Sequence, residues 1–65
     1  MKFVSCISSL SGMFMLIPIN RIACVKYEGV YDRPSEIVDV DGCLYVAATV
    51  NGLKNPKLSN CIVEY

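Results

Sequence analysis

Histidine is missing from this 65-residue chain, which removes the commonest general base and the commonest metal ligand. Net charge is missing too, because six Lys and Arg balance six Asp and Glu. A binder of nucleic-acid backbones draws its affinity from clustered cations, so that class is excluded. Closely spaced cysteine pairs are absent: Cys6, Cys24, Cys43 and Cys61 stand 18, 19 and 18 residues apart. A structural zinc site needs two thiolates from one tight turn, and this spacing offers none. No Gly-rich phosphate loop, Ser-His or Cys-His arrangement, or paired metal carboxylates appears either. No catalytic residue, metal ligand or cofactor is assigned, and the chain reads as a non-enzyme.

What is present is apolar. Hydrophobic residues make up 54% of the chain and mean hydropathy is +0.46, the reverse of a disordered composition. One domain over residues 1–65 is all the length allows. A chain this short buries roughly 60% of its unfolded surface, so its core is marginal and needs assembly or cross-links for support. The cysteines offer cross-links in principle, with three pairings open to four thiols. Each also lies within or beside an apolar run (FVSCI, RIACV, CLYVA, NCIVEY), where a reduced thiol acts as a small hydrophobe on a strand. The second reading is favoured.

Eighteen uncharged residues separate Lys2 from Arg21, near the lower limit for a transmembrane helix. Ser5, Ser8, Ser9, Ser11 and Gly12 split that stretch, and Pro18 with Asn20 closes it. It therefore reads as part of a soluble, unprocessed, cytoplasmic protein rather than a membrane span or signal peptide.

The periodicity predicts a mainly β fold, a small single antiparallel sheet or roll of five or six strands. Strands are expected at Lys2–Ile7, Met13–Ile17, Arg21–Tyr27, Glu36–Val40, Cys43–Ala47 and Asn60–Tyr65. The serines and Gly12 make the first turn, and Pro18 suits a strand edge. Thr49 caps a short helical turn over Val50–Lys54, weakened by Gly52 and stopped by Asn55-Pro56. The sharpest local signal is Asp41-Gly42, which predicts a two-residue type I′ hairpin with positive φ at both residues. Asp41 then serves the turn and Asp39 keeps an edge soluble, a better account than a cation site between them.

That hairpin pairs Val40 with Cys43 and Val38 with Tyr45 on one face. Ile37, Leu44 and Val46 occupy the other, with Asp39 interrupting. Both faces come out apolar, and one weak helix cannot cover both. A homo-oligomer, most simply a dimer, is expected, burying either the face of Val38, Val40 and Tyr45 or the face of Leu44 and Val46.

The chain also carries a KFV opening strand, Gly12, an apolar strand ending in Ile19-Asn20, Ile22 and Val25, Gly42, Tyr45-Val46 and Thr49-Val50. That order, over residues 2–53, resembles the small all-β proteins of the flagellar and swarming-motility FlbD type and similar short phage proteins. The first turn and middle loop are longer here, and a strand replaces the family's acidic C-terminal helix. The resemblance implies a non-enzymatic, adaptor-like β domain and names no catalytic residue.

The segment Lys26–Ser35 (KYEGVYDRPS) concentrates two tyrosines, a glycine, an arginine and a proline between strands. Tyr and Arg bring large amphipathic area and fixed donors to binding sites. Tyr27, Tyr31 and Arg33 are therefore the candidate binding residues, although each singly also fits a solvated loop. Two functions follow. One is a phage- or mobile-element-type inhibitor or modulator that docks on a host protein. The other is an oligomeric binder of a small molecule such as a nucleotide signal, using Tyr stacking and the Arg33 charge.

Overall fold

A computed structural model describes residues 1–65. Six strands form one antiparallel sheet: β1 (Lys2–Ser8), β2 (Phe14–Pro18), β3 (Ile22–Lys26), β4 (Glu36–Asp39), β5 (Leu44–Ala47) and β6 (Ile62–Glu64). The spatial order is β2-β1-β5-β4-β3, and β6 pairs with the first half of β1. The mainly β reading thus holds, strand by strand. There is no α-helix, only 3₁₀ turns at Ile19–Arg21 and Leu58–Cys61.

The first turn is built as its residues suggest. Ser8 Oγ accepts the N–H groups of Leu10 and Ser11, and Gly12, at φ +73°, returns the chain to β2. Pro18 ends β2, an outer strand, where its missing N–H costs no ladder bond.

The helical turn expected at Val50–Lys54 does not form. Thr49 does cap a turn there: its Oγ1 accepts the Leu53 N–H at 2.8 Å and its carbonyl accepts the Gly52 N–H at 3.2 Å. Gly52 then takes φ +74° and turns the chain away, because glycine reaches the left-handed region without a Cβ penalty. The C-terminal 3₁₀ turn comes after Pro56 instead. Asn60 Oδ1 accepts the Lys57 N–H, and the Asn60 N–H donates back to the Lys57 carbonyl.

The hairpin also differs from expectation, by one residue. Ile37 lies opposite Tyr45 and Val38 opposite Leu44, not Val38 opposite Tyr45. Gly42 alone of the turn pair has positive φ, +83°. The loop is therefore Val40–Gly42, three residues, closed by Asp39 N–H to the Cys43 carbonyl at 3.0 Å. The reason is Asp39. Its carboxylate accepts the N–H groups of Asp41 and Cys43, each at 2.9 Å, and the Tyr45 hydroxyl at 2.9 Å. An aspartate that bonds backbone two residues on selects this wider turn. Far from keeping an edge soluble, Asp39 is buried.

A one-residue slip exchanges faces. Ile37, Asp39, Tyr45 and Ala47 now share the buried side, and their neighbours alternate outward along both strands. The core consists of Val4, Cys6, Ile17, Ile37, Tyr45, Ala47 and Cys61, with Ile22, Leu58 and Ile62 packed on it. Fully burying a Val or Ile contributes about 1.5–3 kcal/mol, so Val4 and Ile37 are its main anchors.

Candidate functional site

The loop between β3 and β4 leaves the sheet through two left-handed residues, Tyr27 at φ +60° and Gly29 at φ +79°. A non-glycine residue in that region is uncommon and carries a conformational cost. It places the Tyr27 ring beneath Arg33, whose guanidinium carbon lies 3.8 Å from the ring centroid. The stack holds a flexible cation in place by cation–π attraction. Tyr31, in contrast, is 97% exposed.

Glu28 ties this loop to a second segment. Its carboxylate accepts the Ser35 hydroxyl at 2.7 Å and the Leu58 N–H at 3.0 Å. Ser35 is buried, and so is Pro56. The clasp brings Asn55–Lys57 alongside the loop and leaves a cleft of about 290 Å³ lined by both. Tyr31, Arg33, Asn55 and Lys57 supply its polar walls. Asn55 also sits in the left-handed region, at φ +48°, a conformation that its short amide tolerates better than most side chains.

Of the sequence-derived candidates, Tyr31 and Arg33 line the cleft and Tyr27 supports Arg33 from below. Sequence reasoning missed Glu28, Asn55 and Lys57. Glu28 lies inside the Lys26–Ser35 segment but its type and position point to a solvated loop charge, and Asn55-Pro56 points to a helix stop. Nothing local announces a bond between residues 28 and 58.

The assembly candidates separate. Val38, Leu44 and Val46 lie on the outer face, and Val40 is exposed at the hairpin tip. Tyr45 points the other way: only 8% is exposed and its hydroxyl is held by Asp39. The register adds two residues to the outer face, since Ile7 lies opposite Val46 and Phe14 opposite Ile7. Phe14, Ile7, Val46, Leu44 and Val38 thus form a continuous apolar band across four strands.

All four cysteines are free thiols, and they differ in setting. Cys6 and Cys61 are buried, as small hydrophobes should be, whereas Cys24 and Cys43 are exposed, against the expectation for all four. Burial, and then the neighbouring Cys61 thiol, push the Cys6 pKa up to about 11. Burial also raises Cys61. A buried protonated thiol is a poor nucleophile. A thiol reagent is therefore expected to modify Cys24 and Cys43 rapidly in the native protein, and Cys6 and Cys61 only on unfolding. Added reductant should leave the melting temperature unchanged; a drop of several degrees would show that cross-links hold the fold.

No three or more Cys, Asp or Glu side chains converge as a metal-binding group. No helix is long and apolar enough to cross a membrane. Compared with known proteins, the chain matches no family model, no curated protein and no solved structure.

Proposed function

We propose that the protein is a non-enzymatic interaction module that pairs with a second copy through its outer sheet face and offers the Tyr27–Arg33 loop to a host protein. The observation that carries this reading is the outer band. Ile7 is 37%, Leu44 40% and Phe14 47% exposed, and these side chains adjoin rather than scatter. Contiguous apolar surface of this kind marks interaction sites on small soluble domains. Along the band's border Glu36 lies opposite Lys26, so that border carries both signs of charge. A marginal core adds a motive, because association supplies stability that a short chain lacks. The FlbD-type resemblance supports the same adaptor-like role.

Light scattering on the purified protein at about 10 μM is the test, with Val46→Lys beside it. The wild-type chain should run as a dimer. The variant should run as a monomer while its far-ultraviolet spectrum stays β-type, since Val46 lies outside the core. A monodisperse wild-type monomer at that concentration removes the proposal.

A second reading is favoured by a separate observation. The cleft beside the loop is concave and polar, and it gathers Tyr31, Arg33 and Lys57. That arrangement suits a small molecule better than a flat protein surface.

A further inference from the structure

We infer that the cleft between the Gly29–Ser35 loop and Asn55–Lys57 binds a phosphorylated small molecule carrying an aromatic ring, of the nucleoside monophosphate class. This inference rests on the small-molecule reading of the loop and names the ligand chemistry.

Charge points to the anion. The cleft is lined by Arg33 and Lys57 and by no carboxylate. Neither cation is neutralised within the chain, whose one ion pair joins Arg21 to Asp41. Of the loop's two acids, Glu28 is already engaged by the Ser35 hydroxyl and the Leu58 N–H, and Asp32 lines the neighbouring cleft rather than this one. In a protein of zero net charge, two unpaired cations from separate segments meeting in one concavity is a specific arrangement. Arginine's planar fork matches phosphate oxygens and lysine adds a point charge.

Preorganisation points the same way. Arg33 makes no hydrogen bond through its side chain, yet it does not hang free, because it stacks on Tyr27. Its N–H groups stay available while its rotamer freedom is reduced, which lowers the entropic cost of binding. Two non-glycine left-handed residues, Tyr27 and Asn55, flank the site on its two segments. Strain of this kind gathers where a site must hold its shape.

Tyr31 supplies the aromatic contact. It stands 97% exposed between this cleft and a second of about 390 Å³, which it shares with Asn55, Asp32 and Lys54. An unburied ring with both faces free is a stacking platform for a base, and such stacking tolerates any base. The volume of the first cleft, about 290 Å³, lies at the lower end of small-ligand sites, roughly 300 Å³.

The test uses three probes on the folded protein, with amide shifts read by NMR: adenosine 5′-monophosphate, adenosine and inorganic phosphate. The monophosphate and phosphate should move the Arg33 and Lys57 amides, more weakly as salt rises. Adenosine should bind about tenfold more weakly than its monophosphate, and Arg33→Gln or Lys57→Gln should each cost the monophosphate about threefold. Tyr31→Ala should reduce the monophosphate to the affinity of phosphate alone. Equal binding of adenosine and its monophosphate, or full affinity in both Gln variants, overturns the anion site. If adenosine binding is then lost in Tyr31→Ala, the small-molecule reading of the loop survives. No shift at about 10 mM of any probe removes both, and leaves the assembly reading standing.

Discussion

Replacing Ile37 with alanine is expected to leave most of the protein unfolded, while Val38→Ala, one residue along, is expected to do little. Ile37 has no exposed surface. Deleting its outer carbons removes apolar burial and leaves a cavity that the sheet backbone cannot fill, at a cost of about 2–5 kcal/mol. A chain of this length has about 3–10 kcal/mol in total. The loss is therefore comparable to the whole, and the melting temperature should fall by more than about 10 °C. Val38 lies half-buried on the outer face, opposite Leu44, and its truncation should cost about 1 kcal/mol or less in the monomer. Thermal melts of both variants at low protein concentration, where assembly contributes least, make the comparison. If Val38→Ala melts as low as Ile37→Ala, the hairpin register is not the one described.

That register is the place where sequence reasoning fell one residue short, and the cause is physical. The number and approximate ends of the strands are legible because alternation and turn glycines are local signals, whereas the order β2-β1-β5-β4-β3 is set by long-range pairing. Asp41-Gly42 is local too, and taken alone it favours a two-residue loop. Asp39 overrides it with three bonds, one of them to Tyr45, a residue on the neighbouring strand. A side chain that reaches across the hairpin cannot be read from the dipeptide at the tip. The cysteines teach the same lesson. Their apolar neighbours are alike, but Cys6 and Cys61 meet the core whereas Cys24 sits opposite Val38 on the outer face. The candidate loop was legible as a cluster of Tyr and Arg. Its second wall was not, because Glu28 reaches Leu58 across thirty residues of chain.

Asp39→Ala is expected to lower the melting temperature at neutral pH by on the order of 10 °C and to flatten the acid side of the stability profile. The substitution removes the acceptor for two backbone N–H groups and orphans the Tyr45 hydroxyl, a residue buried in the core. Asp39→Asn keeps one side-chain oxygen for the turn and should fall between the two. The sign of the pH dependence follows from the folded state. The Cys43 N–H, then the Tyr45 hydroxyl, the Asp41 N–H and the Arg21 charge hold the Asp39 carboxyl below its ordinary value, against an opposing push from burial. A carboxyl whose pKa is lower folded than unfolded contributes stability above its unfolded value, about 3.9. That contribution is lost as pH falls through the folded value. Above neutrality the direction reverses for different groups. The bond to Asp39 and burial raise Tyr45 from 10.0 to about 12, and burial raises Cys6 from 9.0 to about 11. Groups whose folded pKa is raised stabilise below their unfolded values and lose that stability as pH climbs toward the folded ones. Wild-type protein should therefore hold a plateau between about pH 4 and 9 and weaken on either side. In Asp39→Ala the acid limb loses this carboxyl's share, so the gap to wild type should narrow below about pH 4. The alkaline limb should also shrink, because the first cause of the Tyr45 shift is gone, while the limb due to Cys6 remains. Melting curves of wild type, Asp39→Ala and Asp39→Asn across that range read all of this in one series. A constant offset between wild type and Asp39→Ala at every pH would show that the carboxylate charge plays no part in closing the hairpin.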